Sequence, residues 1–106
     1  MNNDWNKLQE TYMNEVVKEF NNHKDLINNV EMLPQKDIDH ILQVGCDILL
    51  ARDGHITSGS FSMAVVRNDL ETAITAADSV SSKALKFFVY LKKWVKTGIT
   101  SYEQMT

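Results

Sequence analysis

Gly59-Ser60-Phe61-Ser62-Met63-Ala64-Val65-Val66-Arg67-Asn68-Asp69-Leu70 reads as a Gly/Ser turn, a short apolar helix and an Asn-Asp stop that begins the next helix. Ser58 or Ser60 is expected to cap the short helix by accepting from an early backbone N–H, and Asp69 to cap the one that follows. With helical periodicity on both sides of it, this stretch sets an all-α fold, a compact bundle of about five helices.

Downstream, Ala73, Ala76 and Ala77 make a slim helix from Leu70 to about Ala77, and Asp78 or Ser79 caps a last helix from Val80 to about Lys96. At about 100° per residue, Ala84, Phe87, Phe88, Leu91, Trp94 and Val95 share one broad face, with Lys86, Lys92, Lys93 and Lys96 opposite. Leu85 and Val89 fall among the lysines. Two apolar side chains on a wet face mark a second contact surface, for which a partner protomer is the expected occupant. The polar segment 100–106 is expected to fray.

Upstream, Trp5, Leu8, Tyr12, Val16 and Phe20 form a stripe spaced by three and four, giving a helix from Asp4, its N-cap, to about Asn22. Leu26, Ile27, Val30 and Leu33 then predict a short helix or an extension of the first over Asp25 to Leu33. From Pro34 to about Arg52, Ile38, Ile41, Leu42, Ile48 and Leu49 predict a further helix, ended by Asp53-Gly54 because glycine accepts the left-handed conformation of a C-terminal cap. Asp39 and His40 are adjacent and diverge on a helix, so with Asp37 they read as a solvated face and not as a metal site. Cys46 has no Cys-x-x-Cys partner and reads as a buried structural thiol. No nucleophile, acid/base pair or metal cluster recommends itself, and no cofactor is expected.

The 106 residues make one domain, with a helical scaffold in 1–53 and a motif-bearing region in 54–98. So short a chain has difficulty burying all its apolar surface within one protomer, which favours a homo-oligomer. One cysteine excludes an internal disulfide, no apolar run approaches the roughly 18 residues of a membrane span, and the polar, acidic N-terminus lacks an export pattern. A reducing cytoplasm is the simplest location. The net charge of -3 argues against DNA binding, although five lysines and no acid from Lys83 to Lys96 leave room for a local anion site.

The run Ile56-x-x-Gly59-Ser60-Phe61-x-x-Ala64-Val65-Val66-x-Asn68-Asp69-Leu70-x-x-Ala73-x-x-x-Ala77-Asp78, followed by Leu85 and Val89, resembles a widespread family of short bacteriophage proteins. Those proteins carry Gly-Gly-Phe, Ala-Val-Leu, Asn-Asp/Asn-Leu and Ala-Asp at these spacings. The match falls on residues 54–94. Thr57-Ser58 stand where the family usually has prolines, Ser60 replaces a glycine, and the frequent Trp-Gly-Ser tail is absent.

The family is similar to viral anti-CBASS sponge proteins, which bind the cyclic nucleotide messengers of bacterial anti-phage signalling and hold them intact. The resemblance implies a non-catalytic counter-defence protein acting in the cytoplasm of an infected host, with a cyclic dinucleotide or related signal as ligand. It places Gly59, Ser60 and Phe61 in a ligand turn with Thr57 and Ser58 beside it. Arg52 and Arg67, the nearest arginines, would pair with phosphates, or else be solvated surface charges. His55 would hydrogen-bond a base or phosphate, or be an ordinary loop residue, and Asn68 would touch ligand or only cap a helix. The ligand's near two-fold symmetry suits an isologous interface, with Leu85 and Val89 as candidates for it. The competing reading is a small helical phage protein that binds and inhibits or adapts a host or virion protein through Leu85 and Val89.

Overall fold

The computed structural model describes residues 2–97, so the expected fraying of 100–106 lies outside the described residues. Among these residues there are six α-helices and no strand: α1 Asn2–Asn22, α2 Gln35–Arg52, α3 Ser60–Val66, α4 Leu70–Ala76, α5 Ser79–Lys83 and α6 Leu85–Trp94. No helix among them is long and apolar enough to cross a membrane.

The stripe of α1 does what its spacing demands. Tyr12, Val16 and Phe20 are buried, against Ile41, Ile48 and Leu49 of α2 and Phe87, Phe88 and Leu91 of α6. Trp5 stays 39% exposed at the free end, and Asp4 lies inside the first turn of α1 and is not its cap. Helix α2 runs through the middle of the molecule, in contact with α1, α3, α5 and α6. At its waist sits Gly45, where a Cβ would lie 2.9 Å from Leu91 Cδ1 and 3.0 Å from Val16 Cγ1. Glycine is what lets three helices meet there.

Two helix ends share one device. After α2, the N–H of Gly54 bonds to Ala51 O and that of His55 to Leu50 O, with Gly54 at φ +85°. After α3, the N–H of Asn68 bonds to Val65 O and that of Asp69 to Ala64 O, with Asn68 at φ +62°. Both are Schellman caps with the left-handed residue where the motif requires it. Asp69 then accepts from Thr72 N at 3.2 Å and starts α4 as expected.

The structure corrects two helices. Residues 25–33 do not form one; they form two single 3-10 turns, Lys24–Leu26 and Val30–Met32, separated by Asn29 at φ +56°. A left-handed residue ends helical hydrogen bonding, and Met32 is left 77% exposed. The single last helix is broken at Ala84 into α5 and α6. The carbonyl of Lys83 accepts from Asn28 N at 3.0 Å, so the linker after α1 anchors itself at the break. Asp78 caps α5 through Ser81 N at 2.6 Å. Trp94, expected on the buried face, is 65% exposed.

Candidate functional site

The expected ligand turn leads from the end of α2 to the start of α3. Thr57, Gly59 and Ser60 are exposed and Ser58 is half-buried. The cap of α3 differs from expectation: Gly59 occupies the N-cap position and neither Ser58 nor Ser60 bonds to the helix. The backbone at Gly59 is extended, φ -68° and ψ 176°, and the Ser58 and Ser60 hydroxyls have no partner among the described residues. Phe61 packs edge-on against Phe88 at a centroid distance of 5.6 Å, so its ring belongs to the core margin. His55 is exposed and meets Tyr12 edge-on at 5.6 Å.

Arg52 points away from this turn. Its Nη1 donates to the carbonyls of Leu91 and Lys92, each at 3.2 Å, and to that of Val95, closing the C-terminal end of α6. Its Nε donates to Asp53 Oδ1 at 2.8 Å. Asp53 Oδ2 accepts in turn from Tyr12 Oη at 2.6 Å and Thr97 Oγ1 at 2.7 Å. Burial pushes the Asp53 carboxyl up, but the hydrogen bonds from Arg52, Tyr12 and Thr97 outweigh it and hold the group below its ordinary value. Burial, then the Asp53 hydrogen bond, push the Tyr12 phenol up to about 12. This knot ties α1, α2 and the end of α6 together, and nothing local in the sequence announces it.

Arg67 and Asn68 lie beyond the other end of α3, whose seven residues hold them about 10 Å from the serines. Arg67 is exposed. Asn68 is held by its left-handed cap, and its Oδ1 accepts from Lys92 Nζ at 2.5 Å. The expected ligand residues are therefore split between two ends of a short helix.

Asn68 instead stands on the rim of a cleft of about 210 Å³ between the α3–α4 corner and α6. Buried Ala64, Val65 and Ala73, with half-buried Leu85, form its floor. Leu70 and Val89, 65% and 45% exposed, stand on opposite sides, and Asp69 and Lys92 complete the lining. Ile74, one turn along α4 from Leu70 and 55% exposed, extends the apolar surface. Among the described residues the Lys92 ammonium faces a neutral amide and no carboxylate. Leu85 and Val89 were legible as an anomaly; Leu70 and Lys92 were not, because one looks like the start of a helix and the other like ordinary amphipathicity.

Cys46 and His40 have structural roles. Burial, then the charge of Asp47, push the Cys46 thiol up to about 11, which leaves it inert. His40 pairs with Asp78 at 3.0 Å, and no group of three or more metal-ligating residues gathers among the described residues. No protein-family model, curated protein or solved structure matches the chain.

Proposed function

We propose that the protein is a non-catalytic viral counter-defence protein that binds and sequesters a cyclic di- or oligonucleotide immune signal, cGAMP-like, and so blocks CBASS-type signalling in the infected bacterium. One observation supports this reading: every residue lining the α4/α6 cleft except Lys92 stands at a position that carries the resemblance to the phage family. Positions scattered along the sequence converge on one concave surface. Sequestration asks for affinity and no bond-making, in keeping with a cleft that offers an amide, an ammonium, one carboxylate committed to a helix cap and apolar walls.

Thermal denaturation against a panel of cyclic di- and trinucleotides tests it. A ligand present at about 100 times its Kd adds about 2.7 kcal/mol, which for a chain of this size raises Tm by about 10 °C or more. Ligand recovered after denaturation is expected intact, and native mass spectrometry of the purified protein reports any carried-over nucleotide with the subunit number. Silence across the whole panel would sink the proposal. A second reading, docking of a host or virion protein, is favoured by the exposed apolar side chains of Leu70, Ile74 and Val89 around the same cleft.

A further inference from the structure

We infer that the α4/α6 cleft is a base-and-phosphate subsite: a nucleobase sits between Leu70 and Val89, and the phosphate attached to its sugar is held by the Lys92 ammonium. This rests on the cyclic-nucleotide reading above and moves the seat of the ligand from the Gly59 turn to the far end of α3. The cleft of about 210 Å³ falls short of the roughly 300–1,000 Å³ of pockets that enclose a drug-sized ligand, so it takes one planar moiety and leaves the rest of a dinucleotide outside.

Its chemistry is that of a nucleotide end. The floor is apolar; Asn68 presents an amide whose position is fixed by the cap at φ +62°, suited to a base edge. At about 100° per residue, Lys86, Lys92 and Lys93 flank Val89 on the outer side of α6, Lys96 follows just past its end, and the segment from Lys83 to Lys96 holds no acid. Asp69 is the one carboxylate in the lining, and its Oδ1 accepts from Thr72 N. That fixed negative charge on the α4 side directs an incoming anion toward Lys92. The same lysines disfavour a second copy of the chain: an isologous contact centred on Val89 would set two lysine rings against each other. An anion with a flat apolar part satisfies both features.

The test combines isothermal titration with methyl NMR of the full chain, using 3′,3′- and 2′,3′-cyclic dinucleotides, adenosine and guanosine as probes. The cyclic dinucleotides are expected to shift the methyl signals of Leu70, Leu85 and Val89. Lys92→Ala weakens them about tenfold or more while leaving the phosphate-free nucleosides unchanged, because a charge-assisted contact is lost. Val89→Glu abolishes binding of both; at a half-exposed position it retains the fold, which circular dichroism verifies. If cyclic dinucleotides bind with methyl shifts confined to Ile56 and Thr57, beside the Gly59 turn, and Lys92→Ala has no effect, the subsite is overturned and the sequestration reading stands. If no nucleotide binds, both fall. Concentration-dependent self-association removed by Val89→Glu, or an acidic helical peptide shifting these methyls while nucleotides do not, also overturns it.

Discussion

Asp53 looks in the sequence like the first half of an Asp-Gly helix stop, yet its carboxylate receives Arg52, Tyr12 and Thr97 and so couples α1, α2 and the end of α6. Removing its charge leaves a guanidinium that is only 19% exposed without a counter-ion. Asp53→Asn is expected to lower stability by about 1–3 kcal/mol at pH 7, below the roughly 3–5 kcal/mol for breaking a deeply buried pair, because water still reaches this one. Urea unfolding measures it. The pH dependence follows from the direction of the shift. A carboxyl held below its unfolded value contributes stability that is complete above about pH 5 and is lost as pH falls through the folded value. Asp69 and Asp78 are also depressed, chiefly by their capping hydrogen bonds to Thr72 and Ser81, so the wild-type acid limb is shared. The gap between wild type and Asp53→Asn should therefore narrow between pH 5 and pH 2. A gap that stays constant would show that the carboxylate charge is not what matters.

At the scale of elements, α2 depends on close approach as much as on its apolar stripe. Replacing a mid-helix glycine by alanine ordinarily stabilises by up to about 1 kcal/mol. At Gly45 the new methyl would press on Leu91 Cδ1 and Val16 Cγ1, the ends of two fully buried side chains. Overpacking of this kind costs about 1–3 kcal/mol, so Gly45→Ala is expected to destabilise by about 1–2 kcal/mol and lower Tm; a rise would mean the three helices can part. Asp78→Ala should cost about 1 kcal/mol by uncapping α5, measured in the same way. Helices α1 and α2 were legible because their partners lie three and four residues apart. The break before α6 was not, because the group that takes the Lys83 carbonyl is Asn28, far away in sequence. The structural role of Arg52 was hidden for the same reason: its acceptors on Leu91, Lys92 and Val95 come from the other end of the chain. Half of the cleft was legible, through Leu85 and Val89, and its other wall became visible only when the α3–α4 corner was folded against them.

Across the whole molecule, charge is divided unequally: residues 1–53 carry five more acids than bases, and residues 54–106 two more bases than acids. On the sequestration proposal, an approaching dinucleotide would meet a protein that repels it on average and a helix that attracts it locally. Which effect wins is a question of range. At physiological ionic strength the Debye length is about 8 Å, against a longest molecular dimension of 40 Å, so most of the distant acids are screened from a ligand at the cleft. The nearby lysines are not. Affinity for a cyclic dinucleotide is therefore expected to fall with salt, by about tenfold between about 0.05 M and 0.5 M, because short-range ammonium–phosphate attraction weakens more than the remote repulsion it competes with. In Lys92→Ala the same salt series should give a visibly shallower slope, since the closest of those charges is gone, while Asp4→Asn, at the start of α1, should leave the slope unchanged. Isothermal titration at four salt concentrations measures all three. An affinity indifferent to salt would mean that the ligand is held by the apolar walls of Leu70 and Val89 alone, and a slope insensitive to Lys92 would place the phosphate elsewhere on the molecule.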